Sequence, residues 1–346
     1  MEPRLKKLTV SEAEPNLEFE SLARLISGFR ITGVICAAAQ LGLPDLIDAG
    51  GASSDDLARQ VDCDPDATHR LLRTLASLGI FEETSQGRFV HTSSSLLLKK
   101  SSEPSLHGLA CMTGVVDLLV WPHILYSLKT GKPAFEKVFG AGIFEYMKSH
   151  PEMSAVFDPA MAGFTEVVAQ RVLDAFDFAP YRQIIDIGGG NGSFLKKILT
   201  RYPQITGTIY DLDHVVDRAL AGIGGAAWEG RLRGIPGNFL ESIPAGADLY
   251  IIKIVLCDWR DEDVRTILGN IRKVIGGGRL LIIDGVLPEG NTPSFAKLSD
   301  INMLVTTGSR ERTAAGFDSL LAATGFRLNS IQLVHEWVGI LDVMAQ

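Results

Sequence analysis

"QIIDIGGGNGSFLKKIL", Gln183 to Leu199, decides how this chain folds. Ile184 and Ile185 belong to a short apolar run that reads as a buried strand ending at Asp186. Gly188, Gly189, Gly190 and Gly192 then form a turn, and the spacing predicts a helix from near Ser193. Glycine reaches positive φ without a Cβ penalty and lets backbone approach a ligand closely. A dinucleotide fingerprint counted from Gly188 needs Gly or Ala at position 193, and Ser193 stands there. Asp186, just before the turn, offers a carboxylate to a cationic ligand.

The sequence on either side fits a parallel sheet. Short apolar runs, "TGTIYD", "LRGIP", "ADLYIIK" and "RLLIID", alternate with helical stretches from Arg182 onward. This alternation predicts parallel strands joined by crossover helices. Asp211 ends the second strand, where a carboxylate can accept both hydroxyls of a ribose. No GxxxxGK[ST] pattern occurs, which disfavours a nucleoside triphosphate. "FRLNSIQLVHEWVGILDVMA" at the end reads as two strands in a hairpin on the sheet edge.

Upstream of the sheet the chain reads differently. Residues 1 to about 15 look like a mobile arm, and Leu17 to Ile47 has a helical pattern with small residues on a broad apolar face. In the next segment, Ser53 or Ser54 caps a short helix and Asp64 caps a second one opened by Pro65. Leu71, Leu72, Leu75 and Leu78 form its stripe, and Gly79 ends it. "GIFEE", "SQG" and "RFVHT" then read as a β-hairpin. Two helices and a hairpin make a winged helix, which serves either DNA or packing. Residues 101–180 read as mostly helical, with Trp121, Phe135, Met161 and Phe164 as candidate pocket-lining side chains.

Composition narrows the function. The 346 residues carry a formal net charge of −8. An acidic chain lacks the basic surface that phosphate backbones need, so packing is favoured over nucleic acid. No run of about 18 or more consecutive apolar residues occurs, so no membrane partner is expected. The start is polar, without a secretory signal. The 4 cysteines show no CxxC spacing and the 7 histidines no HExxH pattern, so neither a metal nor a disulfide framework is signalled. The expected location is a reducing cytoplasm.

"DIGGGNG", "YDLDHVV", "GNFLESIPAGADLYIIKIVLCDWRDEDVRTIL" and "GSRERT" resemble, in order and spacing, the S-adenosylmethionine-dependent small-molecule O-methyltransferases of the caffeate and hydroxyindole type. Bacterial natural-product tailoring enzymes belong to that group. The resemblance covers nearly the whole chain. It implies a Rossmann-like class I methyltransferase domain with a seven-stranded sheet in the order 3-2-1-4-5-7-6. A helical winged-helix dimerisation domain would precede it, with residues 1–110 as that domain and 111–346 as the substrate-lining helices and methyltransferase domain. A homodimer is implied.

The cofactor is then S-adenosyl-L-methionine, leaving as S-adenosyl-L-homocysteine. By this resemblance Asp186, Gly188, Gly190, Gly192, Asp211, Leu212, Asn238, Phe239 and Lys253 bind it. Asn238 stands in place of the family's carboxylate beside the adenine, where its amide oxygen can accept from the base, and Phe239 stacks. Asn302 and Met303 join Trp121, Phe135, Met161 and Phe164 around a small-molecule acceptor.

The chain departs from the family at one position. Where the family reads His-Asp-Trp, this chain reads Cys257-Asp258-Trp259. The family's histidine is the general base, and its flanking acids match Asp284 and Glu311. A thiol of pKa about 8.5 is largely protonated at neutral pH, so Cys257 is expected to be a neutral lining group. O-methylation of a small aromatic or polyketide-like secondary metabolite would then proceed by proximity and desolvation on an acidified acceptor, with Asp258, Asp284 or Glu311 taking the proton directly or through water. The alternatives are C- or N-methylation, where no strong base is required, and a non-methylating pericyclase or isomerase on the same scaffold. Asp284 also reads as a strand-end cap, and Glu311 as a partner for Arg310 or Arg312.

Overall fold

The computed structural model describes residues 17–221 and 228–346, without the side chains at positions 158, 162, 164 and 165. The expected N-terminal arm and the side chain of Phe164 therefore lie outside the described residues. The chain divides at Thr92/Ser93 into two compact units.

The smaller unit begins with helices Leu17–Ile26, Gly28–Gln40 and Leu43–Leu46. A three-stranded antiparallel sheet follows, with β1 (Ala52–Ser53), β2 (Phe81–Glu83) and β3 (Arg88–His91) in the order β1-β3-β2. Two capped helices lie between β1 and β2. Ser53 Oγ accepts the Asp56 N–H at 3.1 Å and starts Ser54–Gln60. Asp64 Oδ1 accepts the Ala67 N–H at 2.8 Å and starts Pro65–Ser77. Each cap satisfies an amide that the first helical turn leaves without a partner.

Leu72 and Leu75 of the expected stripe are fully buried, against Leu43, Leu57, Phe81 and Phe89. Leu71 is half-buried and Leu78 is exposed, so the packed stripe is narrower than the spacing suggests. No residue of the first helix is buried, and Leu17, Phe19, Leu22 and Leu25 stand in the open.

The larger unit carries a seven-stranded sheet. Its strands are β4 (Gln183–Ile187), β5 (Thr206–Asp211), β6 (Leu232–Pro236), β7 (Leu249–Lys253), β8 (Arg279–Gly285), β9 (Phe326–Leu333) and β10 (Val338–Ala345). They run in the order β6-β5-β4-β7-β8-β10-β9, which is the order 3-2-1-4-5-7-6. β4 to β8 pair in parallel, while the hairpin β9–β10 is antiparallel and joins through β10.

Alternate residues of each central strand enter separate cores. Ile184, Leu249, Ile251, Leu281 and Ile283 pack on one face, and Ile185, Tyr250, Ile252, Leu280 and Ile282 on the other. Side chains of a strand point to opposite faces, and covering helices bury both faces of a parallel sheet. Ser193–Arg201 and Pro151–Ala175 cover the first face, and Asp261–Val274 and Ala314–Ala323 the second.

Residues 93–110 go with this unit, because the helix His107–Met112 packs on Pro151–Ala175: a Cβ at Gly108 would meet the Pro159 carbonyl carbon at 2.5 Å. The helical run His107–Thr130 is long and apolar enough to cross a membrane by length and composition. It is broken here by a π-turn at Thr113–Asp117 and a 3-10 turn at Trp121–His123. Val116 and Val120 bury its inner face with Phe135, Ile143, Met153 and Val305, while Leu119, Leu125 and Leu128 remain exposed.

Removing the cap at Asp64 tests the local reading of the smaller unit. Asp64→Ala is expected to destabilise it by about 1 kcal/mol, read by urea unfolding. Unchanged stability would mean that the cap is idle.

Candidate active site

Asp186, Asp211, Lys253 and Asp284 sit at the carboxyl ends of β4, β5, β7 and β8, and the turn with Cys257 and Asp258 follows β7. The chain leaves β4 toward β5 and β6 on one side, then returns to β7 on the other. Open α/β sheets bind ligands at such a switch point.

The glycine turn bridges two strand ends. Gly188 N–H donates to Tyr210 O at 2.8 Å, and Gly190 N–H donates to Asp211 Oδ2 at 2.9 Å. Asp211 Oδ1 accepts from its neighbour Leu212 N–H at 2.7 Å, and Leu212 leads into the helix Asp213–Leu220. Gly188 has φ +68°, and a Cβ there would stand 2.8 Å from Val255 Cγ2. Gly190 has φ +57° and open space where a Cβ would be. Gly192, φ +72°, precedes the helix Ser193–Arg201. Burial raises the Asp211 carboxyl, against the two amides that donate to it.

Asp186 is 1% exposed, and neither carboxylate oxygen has a hydrogen-bond partner. Burial pushes it up to about 7, against the pull of Lys253 and with a further push from Asp211. Two orphaned buried oxygens beside a bare glycine turn suit a ligand with a cationic centre. Lys253 ends β7, and burial lowers its ammonium while Asp186, Asp284 and Cys257 raise it.

On the expected adenine side, Phe239 Cε1 would lie 3.7 Å from a Cβ at Gly188. Its ring meets Trp259 edge-on at 5.5 Å, and Trp259 stacks on Phe144 at 6.1 Å. Asn238 Oδ1 accepts the Leu240 N–H at 3.0 Å, and Nδ2 donates to Glu241 at 3.1 Å. The oxygen expected to face the base thus also closes its own turn.

The segment after β7 brings the acids together. Ile254 enters it at φ +50°, a left-handed conformation that is an outlier for a β-branched residue. The 3-10 turn Leu256–Asp258 follows. Asp284 Oδ2 accepts the Cys257 N–H at 3.3 Å, and Oδ1 accepts the Gly285 N–H at 2.8 Å. Glu311 Oε1 accepts from Ser299 Oγ at 2.7 Å. One ligand atom each from Cys257, Asp284 and Glu311 lie within 4.8 Å of one another, a spacing that could hold a metal ion.

Arg312 is buried and does not pair with Glu311. Its guanidinium donates to Leu256 O and Trp259 O, both at 2.7 Å, and to Asp261 Oδ1 at 2.9 Å. It is the clamp that holds the turn around Cys257, aided by Ser309 Oγ on Cys257 O.

The electrostatics follow from crowding acids out of water. Burial, then Asp284, Asp258 and Glu311, push the Cys257 thiol well above its ordinary value. Burial and Asp284 push half-buried Asp258 up to about 7. Burial raises Asp284, against the Gly285 N–H and the Cys257 thiol that donate to it. Burial and Asp284 push Glu311 up to about 8, against the Ser299 hydroxyl.

The expected acceptor-lining residues divide. Trp121 Nε1 donates to Asn302 Oδ1 at 3.0 Å, joining two helices of the wall, and Met303 is half-buried one residue on. Met161 is also half-buried. Phe135 has no exposed surface and packs on Phe139 at 4.5 Å. Sequence reasoning missed Ile254, Ser299, Ser309 and the clamp role of Arg312. No local pattern marks them, because their partners lie far along the chain.

Comparison with known proteins gives a consistent answer. The family model for the O-methyltransferase domain matches residues 121–327, and that for the O-methyltransferase dimerisation domain matches 23–101. The chain is similar to phenazine O-methyltransferase PhzM of Lysobacter antibioticus, 39% identical over 93% of this chain and 94% of that one. It is 34% identical to the O-demethylpuromycin-O-methyltransferase of Streptomyces alboniger, over 90% and 85% of the two chains. The human N-acetylserotonin methyltransferase solved with S-adenosylmethionine superposes with a TM-score of 0.90 at 26% identity, over 97% of this chain and 99% of that one.

The raised acids fix how stability depends on pH. Asp186 and Asp258 at about 7 and Glu311 at about 8 hold protons more tightly folded than unfolded. Where the folded state binds more protons, stability falls as pH rises. The cofactor-free protein should therefore lose thermal stability from about pH 4 to about pH 8 through these groups. Removing them together (Asp186→Asn, Asp258→Asn, Glu311→Gln) should flatten that slope; an unchanged slope would show that they titrate normally.

Proposed function

Because this chain belongs to the S-adenosylmethionine-dependent O-methyltransferase family, we propose that it methylates a hydroxyl on a small aromatic or polyketide-like secondary metabolite, with Asp258 taking the proton. The relatives' names, a phenazine and a puromycin enzyme, support that acceptor class. The observation that carries the reading is the pairing of a glycine turn with a buried acid corner at adjacent strand ends.

When bound, S-adenosylmethionine supplies a methyl group on a sulfonium, which passes to the acceptor oxygen and leaves a neutral thioether. The protein's part is to orient and to exclude water. Gly188 and Gly190 let the backbone come close, Asp211 holds the ribose, and Asp186 meets positive charge. Phe239 and Trp259 form an aromatic wall for the base. Such positioning can supply much of the acceleration, provided the reacting atoms sit about 3–3.5 Å apart and in line.

The proton leaves the acceptor oxygen as the O–CH3 bond forms. A thiol held well above its ordinary pKa stays neutral, so Cys257 lines the site and is not the base. Asp284 accepts from two backbone amides and the Cys257 thiol, donors that favour its charged form and weaken it as a base. Asp258 is half-buried and balanced at about 7, the range that suits a base at neutral pH. The exposed apolar side chains of the first helix suit the homodimer that a dimerisation domain serves.

Incubation with methyl-labelled S-adenosylmethionine and hydroxylated aromatics should place label in an ether; label only in a C–CH3 or N–CH3 product, or none, would overturn the reading. Cys257→Ala should keep kcat within about tenfold, whereas Asp258→Asn should lower it by at least about 100-fold. The reverse order would make the thiol the base. Phe19→Glu combined with Leu25→Glu should halve the mass seen by light scattering, and a persistent dimer would place the interface elsewhere.

A further inference from the structure

Between Gly188 and Gly192, Asn191 alone carries a side chain. The Gly192 N–H donates to Gly189 O at 3.0 Å and closes the turn, so Gly190 and Asn191 are its central pair. Each of the two is tied to a group outside the turn. The Gly190 N–H donates to Asp211, and Asn191 O accepts from Lys196 Nζ at 2.8 Å. The same ammonium donates to Ala219 O at 2.9 Å, in the last turn of the helix Asp213–Leu220. It also lies over the Trp228 ring, 5.2 Å from its centroid. The stem of Lys196 runs along the turn, since a Cβ on Gly192 would stand 3.5 Å from its Cε. The cofactor reading gives this lysine no role.

Local rules do not favour a cation here. Lys196 lies in the first turn of the helix Ser193–Arg201, where the macrodipole disfavours positive charge. Its charge is delivered elsewhere, to a carbonyl at the C-terminal end of another helix, where a cation is favoured. Hydrogen bonds from an ammonium are stronger than those between neutral groups. Asn191 O belongs to the same peptide unit as the Gly192 N–H, so a cation on that oxygen makes the N–H a better donor to Gly189 O. One ammonium thus tightens the bond that closes the turn. The turn is fixed at two points against the segment that begins at Asp211, by Gly190 at its start and by Lys196 at its far end.

We propose that Lys196 is a positioning residue for S-adenosylmethionine, which acts through the Asn191 carbonyl and sets the glycine turn in its binding shape before the cofactor arrives. A turn already ordered costs less to bind. The effect of the lysine therefore falls on cofactor affinity, through the order of the empty turn. The inference rests on S-adenosylmethionine as the cofactor. It is independent of which acceptor atom is methylated and of which acid takes the proton.

The test titrates S-adenosylhomocysteine into the full-length protein by calorimetry. Lys196→Met keeps an apolar stem of similar length and removes the donors, and it should weaken binding by at least about tenfold. Lys196→Gln, one bond shorter and uncharged, should weaken it in the same sense and decides the matter where Lys196→Met does not fold. Lys196→Arg keeps a cation and its donors and should stay within about threefold of the unsubstituted protein. Lys197→Met, which removes the adjacent cation paired with Glu166, should leave the affinity unchanged. Hydrogen exchange of the cofactor-free protein, read by mass spectrometry, supplies the second measurement. In Lys196→Met the peptide over residues 188–196 should exchange faster while β7 and β8 keep their rates. Unchanged affinity or unchanged exchange in that peptide overturns the proposal, as does Lys196→Arg no better than Lys196→Met, or Lys197→Met as weak as either. Faster exchange throughout the sheet, or failure of both Lys196→Met and Lys196→Gln to fold, would make the lysine a general stabiliser and also overturn it. An unsubstituted protein that binds no S-adenosylhomocysteine would instead remove the cofactor reading itself.

Discussion

The hydrogen bond from the Gly190 N–H to the Asp211 carboxylate is the constraint on which this site depends. It ties the turn after β4 to the end of β5, one strand over. With the bond from Gly188 N–H to Tyr210 O, it fixes a bare stretch of backbone at the switch point of the sheet. Side chains cannot replace that backbone. A Cβ at Gly188 would strike Val255, and Val255 leads into the turn that carries Cys257 and Asp258. The glycine turn and the turn after β7 thus stand side by side.

The reacting corner is a collection of acids that water would ordinarily keep apart. Cys257, Asp258, Asp284 and Glu311 meet there because β7 and β8 are neighbours in the sheet and Arg312 holds the intervening turn. The shared burial makes each harder to ionise. Burial and the neighbouring acids hold the thiol well above its ordinary value and raise the carboxyls of Asp258 and Glu311 to about 7 and about 8.

Much of the fold was legible because its signals are local. Asp64 before Pro65 announces a helix start, and the structure shows the cap bond. The glycines after Asp186 announce a strand-turn-helix, and the alternating apolar runs announce the parallel sheet. Other readings needed the third dimension. Phe135 looked like a lining residue, since an aromatic on a helix reads the same whether it faces a cavity or a core; the neighbouring Phe139 and Tyr146 settle that it packs. The Asn238 oxygen, expected to face a base, also accepts from a backbone amide two residues on, a bond the sequence does not announce. Arg312, read with Arg310 as one of two possible partners of Glu311, is instead bonded to residues more than fifty positions back.

By itself the sequence determined the parallel sheet and its glycine turn, and the resemblance of its motifs to a known family implied the class. Strand periodicity, the glycine turn, Asp211 and the order of the motifs depend on short-range geometry, which any reader of the chain can reconstruct. Tertiary structure decided the ionisation of the site. Whether a carboxyl is a base, a donor or a cap depends on the water it has lost and the charges around it. Asp284 and Ser299 come to Cys257 and Glu311 only when the sheet is assembled. Electrostatic energy falls with distance in space, and distance along the chain carries no record of it.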